Sequence, residues 1–285
     1  MSPVEINEII NELRRDTTHG ATWYLQKSLE AIEVALELGY DQDGVMRLVN
    51  GLLSTRPGMA TLRNLADVIN EAVNRNLDLR GVVGRLRAYQ EEAGKRLLEQ
   101  LGKYPIKCGS RVMTISHSNA VGMALRAWSP CIEEVYILES RPGNEATEAL
   151  REYSKYVKAR VIPDSAMAHF AGYVDYVVTG ADGVYTEGYL LNKIGTLTLA
   201  IVADELKRKF VAVFESYKAC EGGIEEVYQV DYQYEGGTIN IPLFEKVPLQ
   251  YVDQAITDMA TIRKPTEEDV RKLRDEFIKN ILTPQ

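Results

Sequence analysis

The residues best suited to chemistry stand at the ends of short apolar runs. Gly180-Ala181-Asp182 closes one such run, and ten residues on, Asn192-Lys193-Ile194-Gly195-Thr196 opens what reads as a helix. A carboxylate at a strand end can move protons. A lysine beside the free N–H groups of a helix start can hold a phosphate. A solvated loop with a helix cap is the competing reading. Ser116-His117-Ser118-Asn119 ends another run and enters a helix. Its small polar side chains either ligate an anion or simply cap the helix through Ser118 or Asn119. Ser118 and His117 do not make a nucleophile pair. There is no Gly-x-Ser-x-Gly elbow, and neighbours on an extended strand point opposite ways. Glu139-Ser140-Arg141-Pro142 and Glu215-Ser216-Tyr217-Lys218 each join a carboxylate to a cation. Arg56 is an isolated cation before Pro57, and His19-Gly20-Ala21 starts a helix where glycine supplies a flexible turn. Singly, these are surface ion pairs and caps. Together they line cations, hydroxyls and a carboxylate along one edge, a pattern that suits a doubly phosphorylated or other anionic small ligand.

The elements that must position these residues fall into two halves. Residues 1–104 read as successive helices: one capped by Ser2 with Pro3 at its first position, then 21–38 stopped by Gly39, 42–53, 60–74 and 79–100. From residue 107 the pattern changes. Apolar runs at 111–116, 134–139, 159–163, 173–179 and 210–214 alternate with helical stretches at 120–128, 146–158 and 194–207. Strands alternating with helices predict an α/β domain over 105–285 with a parallel sheet and right-handed crossovers. Ligands of such sheets sit at the carboxyl ends of the strands, which selects 116–119, 139–142, 163–164, 180–182 and 215–218. A charged helix follows Pro265. Tyr232, Tyr234, Ile239, Ile241, Leu243 and Phe244 form a late apolar segment, expected to contribute to a homodimer.

Composition narrows the function classes. The 285 residues carry 33 Lys and Arg against 41 Asp and Glu, a net charge of −8, with 45% hydrophobic residues. No basic run exists, so direct nucleic-acid binding and anionic membrane surfaces are unsupported. Cys108, Cys131 and Cys220 show neither an even count nor Cys-x-x-Cys spacing, which argues against a disulfide framework and a zinc ribbon and fits a reducing cytoplasm. No metal and no cofactor is expected. The first residues read as an amphipathic helix rather than a secretory leader, and no run approaches ~18 apolar residues.

The segments at Thr18–Ala21 (THGA), Glu139–Pro142 (ESRP), Gly180–Thr196 (GADGVYTEGYLLNKIGT) and Phe214–Lys218 (FESYK) resemble one superfamily. It holds the alpha, beta and delta regulatory subunits of translation initiation factor 2B with their archaeal relatives, ribose-1,5-bisphosphate isomerase and methylthioribose-1-phosphate isomerase. The likeness runs from about His19 to Asp253. It implies a helical N-terminal domain followed by a Rossmann-like doubly wound domain, and dimers or dimer-based oligomers. It also implies a phosphorylated ligand, a sugar phosphate or nucleotide, and initiation factor 2 or related subunits as partners. The isomerases hold the sugar phosphate with an Arg-Gly-Ala turn, an Arg before Pro, an Asn-Lys pair and a late Lys. The matching positions here are His19, Gly20 and Ala21, then Arg56, Asn192, Lys193 and Lys218; Ser118, Asn119 and Arg141 stand beside them at the sheet edge. Asp182 matches the isomerases' catalytic aspartate. Ser118 occupies the position of their catalytic cysteine and His19 that of the turn arginine. A serine hydroxyl is far less acidic than a thiol of pKa ~8.5. The expectation is therefore a regulatory binding protein without isomerase activity; the alternative is a ribose-1,5-bisphosphate isomerase.

Overall fold

The computed structural model describes residues 3–16 and 19–283. The Ser2 cap and Thr18 of the first motif lie outside the described residues. Five helices come first: α1 (Pro3–Arg15), α2 (Ala21–Glu37), α3 (Gln42–Leu53), α4 (Ala60–Asn74) and α5 (Leu79–Lys103). Asp41 and Asp78 cap α3 and α5 through their carboxylates. Gly39, at φ +82°, ends α2: its N–H reaches Leu36 and that of Tyr40 reaches Ala35, a paired termination that needs the left-handed conformation.

The remainder begins with β1 (Ser110–Ile115), α6 (Asn119–Trp128), β2 (Ile132–Leu138), α7 (Glu145–Tyr153), β3 (Ala159–Ile162), α8 (Met167–Ala171) and β4 (Tyr176–Thr179). It continues through β5 (Gly183–Tyr185), β6 (Tyr189–Lys193), α9 (Thr196–Glu205), β7 (Lys209–Val213) and β8 (Ala219–Cys220). Then come β9 (Gln229–Tyr234), β10 (Gly237–Pro242), β11 (Phe244–Pro248), β12 (Gln254–Ile256), β13 (Thr261–Arg263) and α10 (Glu267–Leu282). The main sheet runs β13-β12-β7-β4-β1-β2-β3 and is parallel except for β13. The chain therefore has an α/β fold, a helical region followed by a mostly parallel central sheet. It enters at β1, winds outward to β3, then returns to β4 and winds the other way. The reversal opens a crevice between β1 and β4, where open α/β sheets take their ligands.

Both faces of this sheet are covered, which is why its strands read as unbroken apolar runs. Met113, Ile115, Val177 and Phe210 pack on one side; Val112, Val135, Val178 and Val211 pack on the other. The last helix returns to the first half. Phe277, Ile281 and Leu282 of α10 join Leu29, Ile32 and Ile69 in the helical core.

Several expectations are corrected. The strand read over 173–179 starts only at Tyr176, and the helix read over 146–158 stops at Tyr153. A second sheet, β11-β6-β5-β8, and a separate β9-β10 hairpin had no sequence signal. Cys108 and Cys131 are disulfide-bonded, contrary to the unpaired reading; Cys220 is free and buried. The pairing follows from topology: β1 and β2 are parallel neighbours, so the segments leading into them meet. Among the described residues no helix is long and apolar enough to cross a membrane.

Candidate functional site

A cavity of about 170 Å³ opens at the β1/β4 crevice and reaches the start of α2. Ser118, Asn119, Asp182, Asn192, Lys193 and Lys218 line it from the α/β region; His19, Gly20, Ala21 and Arg56 line it from the helical region. Each position has a local cause. Ser118 is the N-cap of α6, its Oγ accepting from Val121 N–H at 3.4 Å. Gly180 lets it sit there, because a Cβ on that residue would lie 2.9 Å from Ser118 Cβ. Asp182 follows β4 and donates its backbone N–H to Leu191 at 2.8 Å, where the chain turns into β5. Lys193 ends β6 opposite Phe244 of β11.

Lys218 is carried on a short 3-10 turn, Ser216–Lys218, that the helical half clamps. The Asn64 amide of α4 donates to the carbonyls of Tyr217 (2.9 Å) and Ala219 (2.7 Å). Asp258 accepts from Ser216 N–H at 2.6 Å and is itself held by Arg96 at 2.9 Å. Contacts across the two halves thus set the position of a cavity cation.

Burial holds the Asp182 carboxyl above its ordinary range, against the opposing pull of Lys218, the Ala21 N–H, Lys193 and Arg56. Burial lowers the His117 imidazole, with Glu148 and Glu152 opposing, so this ring is neutral at pH 7. All three cavity cations have carboxylate partners. Lys193 pairs with Glu145, Lys218 with Glu215 at 2.8 Å, and Arg56 lies 3.8 Å from Asp16. Arg56 also stacks on Tyr228, 4.0 Å from the ring centre, and donates to Tyr24, while its Nε and Nη1 have no hydrogen-bond partner among the described residues. Reading it as an isolated cation was wrong: the partners come from segments distant in sequence.

Further expectations are revised. Asn192 and Lys193 lie on a strand and not at a helix start. The α9 N-terminus is already satisfied, since Glu245 accepts from Gly195 N–H at 2.6 Å and Leu197 N–H at 2.8 Å. Gly20 has extended geometry, φ −88° and ψ 178°, which needs no glycine. Arg141 is outside the cavity, exposed and paired with Glu139 at 2.7 Å. The edges at 139–142 and 163–164 serve structure instead: Asp164 accepts from Ser140 and Arg141 N–H, and Ser140 Oγ accepts from Ser116 N–H.

Sequence reasoning overlooked Glu145, Trp23 and Gln26, which also line the cavity. Glu145 follows the ESRP motif closely, but at the start of a helix an acid is unremarkable. Leu243 and Phe244, read as interface residues, form cavity wall.

Residues 25–264 match the Initiation factor 2 subunit family. A translation initiation factor eIF-2B subunit 2-like protein of Pyrococcus horikoshii is 29% identical over 94% of this chain and 99% of its own. Ribose 1,5-bisphosphate isomerase of Methanocaldococcus jannaschii is 29% identical over 75% of each chain. The crystal structure of the P. horikoshii OT3 translation initiation factor eIF-2B superposes with a TM-score of 0.81 at 27% identity, covering 93% of this chain and 98% of that one.

Proposed function

The chain belongs to the Initiation factor 2 subunit family, and from that premise we propose that it is a regulatory protein whose cavity binds a phosphorylated small molecule without isomerising it. The carrying observation is the role of Ser118. Its Oγ serves as a helix cap, and among the described residues the hydrogen bonds of that oxygen lead to no general base. An aldose–ketose isomerisation moves a proton from one sugar carbon to its neighbour, and Ser118 takes no part in moving it; Asp182, His117 and Glu145 are titratable groups that line the same cavity. The anion site of the cavity is supported by Arg56, whose Nε and Nη1 have no hydrogen-bond partner among the described residues.

In this reading the ligand is a sugar phosphate or nucleotide, and occupancy is relayed to protein partners, initiation factor 2 or related subunits. A homodimer is part of the proposal. The β9-β10 hairpin exposes Tyr234 and Ile239, 53% and 45% accessible, on a two-stranded sheet outside the main core.

Thermal shift against sugar phosphates and nucleotides, with a turnover assay on ribose 1,5-bisphosphate, tests the reading. Stabilisation without ribulose 1,5-bisphosphate is the expected result. Turnover by the unmodified protein would establish the isomerase alternative instead, with Asp182 as a working acid–base. Light scattering tests assembly: a monomer at micromolar concentration rejects the dimer.

A further inference from the structure

We propose that Glu145 is a specificity-determining residue that turns the Lys193 end of the cavity into a hydroxyl-accepting subsite and excludes a second phosphate there. This rests on the reading that the cavity takes a phosphorylated sugar, and it narrows that reading to a monophosphate.

The argument begins with charge. Arg56, Lys193 and Lys218 bring three positive charges to the cavity, and Asp16, Glu145 and Glu215 already pair with them. Asp182 is a fourth carboxylate facing the same cations. Cations alone, read along the sequence, suggested room for two phosphates; with their partners counted, the site has no surplus positive charge. Two dianionic groups would have to displace buried carboxylates.

The unsatisfied atoms of the lining include donors on Arg56 and an acceptor on Glu145. Arg56 is 2% exposed, and among the described residues its Nε and Nη1 have no hydrogen-bond partner. These are donors, and they suit one phosphoryl group. Glu145 is 7% exposed, gives one oxygen to Lys193, and among the described residues its Oε2 has no hydrogen-bond partner. A carboxylate oxygen only accepts. Its complement is a hydroxyl of the ligand, and a second phosphate oxygen would meet it as a like charge. The cavity's volume of about 170 Å³ is well under the ~300 Å³ at which drug-sized pockets begin. That size fits a pentose phosphate better than a nucleotide.

The local sequence supports the placement. Glu145 opens α7, and Gly143 leaves the space its carboxylate occupies: a Cβ on Gly143 would fall against Glu145 Oε2. Gly143→Ala therefore pushes the carboxylate from its place while every charged residue remains.

Isothermal titration of the full-length protein with ribose 5-phosphate, ribose 1,5-bisphosphate and inorganic phosphate tests the assignment. The unmodified protein should bind ribose 5-phosphate at least tenfold more tightly than the bisphosphate, and more tightly than inorganic phosphate. Glu145→Gln frees Lys193 and replaces the charged acceptor of the ligand hydroxyl, so the bisphosphate-to-monophosphate affinity ratio should rise at least tenfold. Gly143→Ala should move the ratio in the same direction, and it stands in if Glu145→Gln fails to fold. The readout is the ratio of two ligands on one protein, which general loosening does not change. A preference of the unmodified protein for the bisphosphate, or equal effects of Glu145→Gln on both ligands, would overturn the proposal. Absence of binding by every sugar phosphate would overturn the underlying functional reading and this proposal with it.

Discussion

Replacing Lys193 by methionine keeps most of the side-chain volume and removes only the charge. Lys193 is 2% exposed and its partner Glu145 is 7% exposed. Among the described residues the second carboxylate oxygen of Glu145 has no hydrogen-bond partner to take over when the ammonium goes. Breaking one side of a buried ion pair costs about 3–5 kcal/mol, because the remaining charge stays desolvated. Replacing both partners removes that burden, so Lys193→Met/Glu145→Gln should recover most of the loss. Glu145→Gln alone should cost less than Lys193→Met, since Lys193 still faces Asp182. At roughly 2 °C per kcal/mol for a chain of this size, Lys193→Met should melt roughly 6–10 °C below the unmodified protein. Calorimetry and urea titration at pH 7.5 on all four members of the cycle give the coupling, expected at about 2 kcal/mol or more. If Lys193→Met lies within 1 kcal/mol of the unmodified protein, or if the two substitutions simply add, the pair is not the desolvated contact described.

Asp182→Asn tests the burial of that carboxyl. Its folded pKa stands above the unfolded value of ~3.9, so its contribution to stability is full below that pH and is lost as pH climbs through the folded value. The variant should therefore melt higher than the unmodified protein at pH 7–8, with the gap closing toward pH 4; a gap that widens on acidification contradicts the assignment. Asn64→Ala strands two buried carbonyls and should cost about 2–4 kcal/mol by urea unfolding, while weakening whatever ligand contacts Lys218; a loss under 1 kcal/mol means the clamp is unimportant. Ser118→Cys should give weak ribose 1,5-bisphosphate isomerase activity at most, and His19→Arg/Ser118→Cys more, read as ribulose 1,5-bisphosphate formed. Equal inactivity of both, repeated in the Glu145→Gln background that admits the second phosphate, rejects the view that Ser118 and His19 silence the site.

The helical first half and the alternating second half were legible because each depends on short-range periodicity. Apolar residues recurring every three to four positions make a helix wherever they occur. A doubly buried parallel strand must be apolar on both faces. The carboxyl-edge rule then brought 116–119, 180–182 and 215–218 into view. It selected 139–142 and 163–164 equally, because the sequence does not reveal strand order. Only the β1/β4 reversal decides which strand ends open onto a crevice and which are tied off by Ser140 and Asp164.

What the residues determined by themselves was the inventory: three cations, an aspartate after a buried strand, a serine in a cap position. What tertiary structure decided was their pairing. Glu145 and Lys193 are 48 residues apart, Asp16 and Arg56 are 40 apart, and Cys108 and Cys131 are 23 apart. None of these separations has a local signature, since each contact is made by elements that meet only after crossovers and helix packing. Electrostatic energy depends on distance in space and on exclusion of water, so the charge of this cavity, and with it the ligand it accepts, is set by the fold.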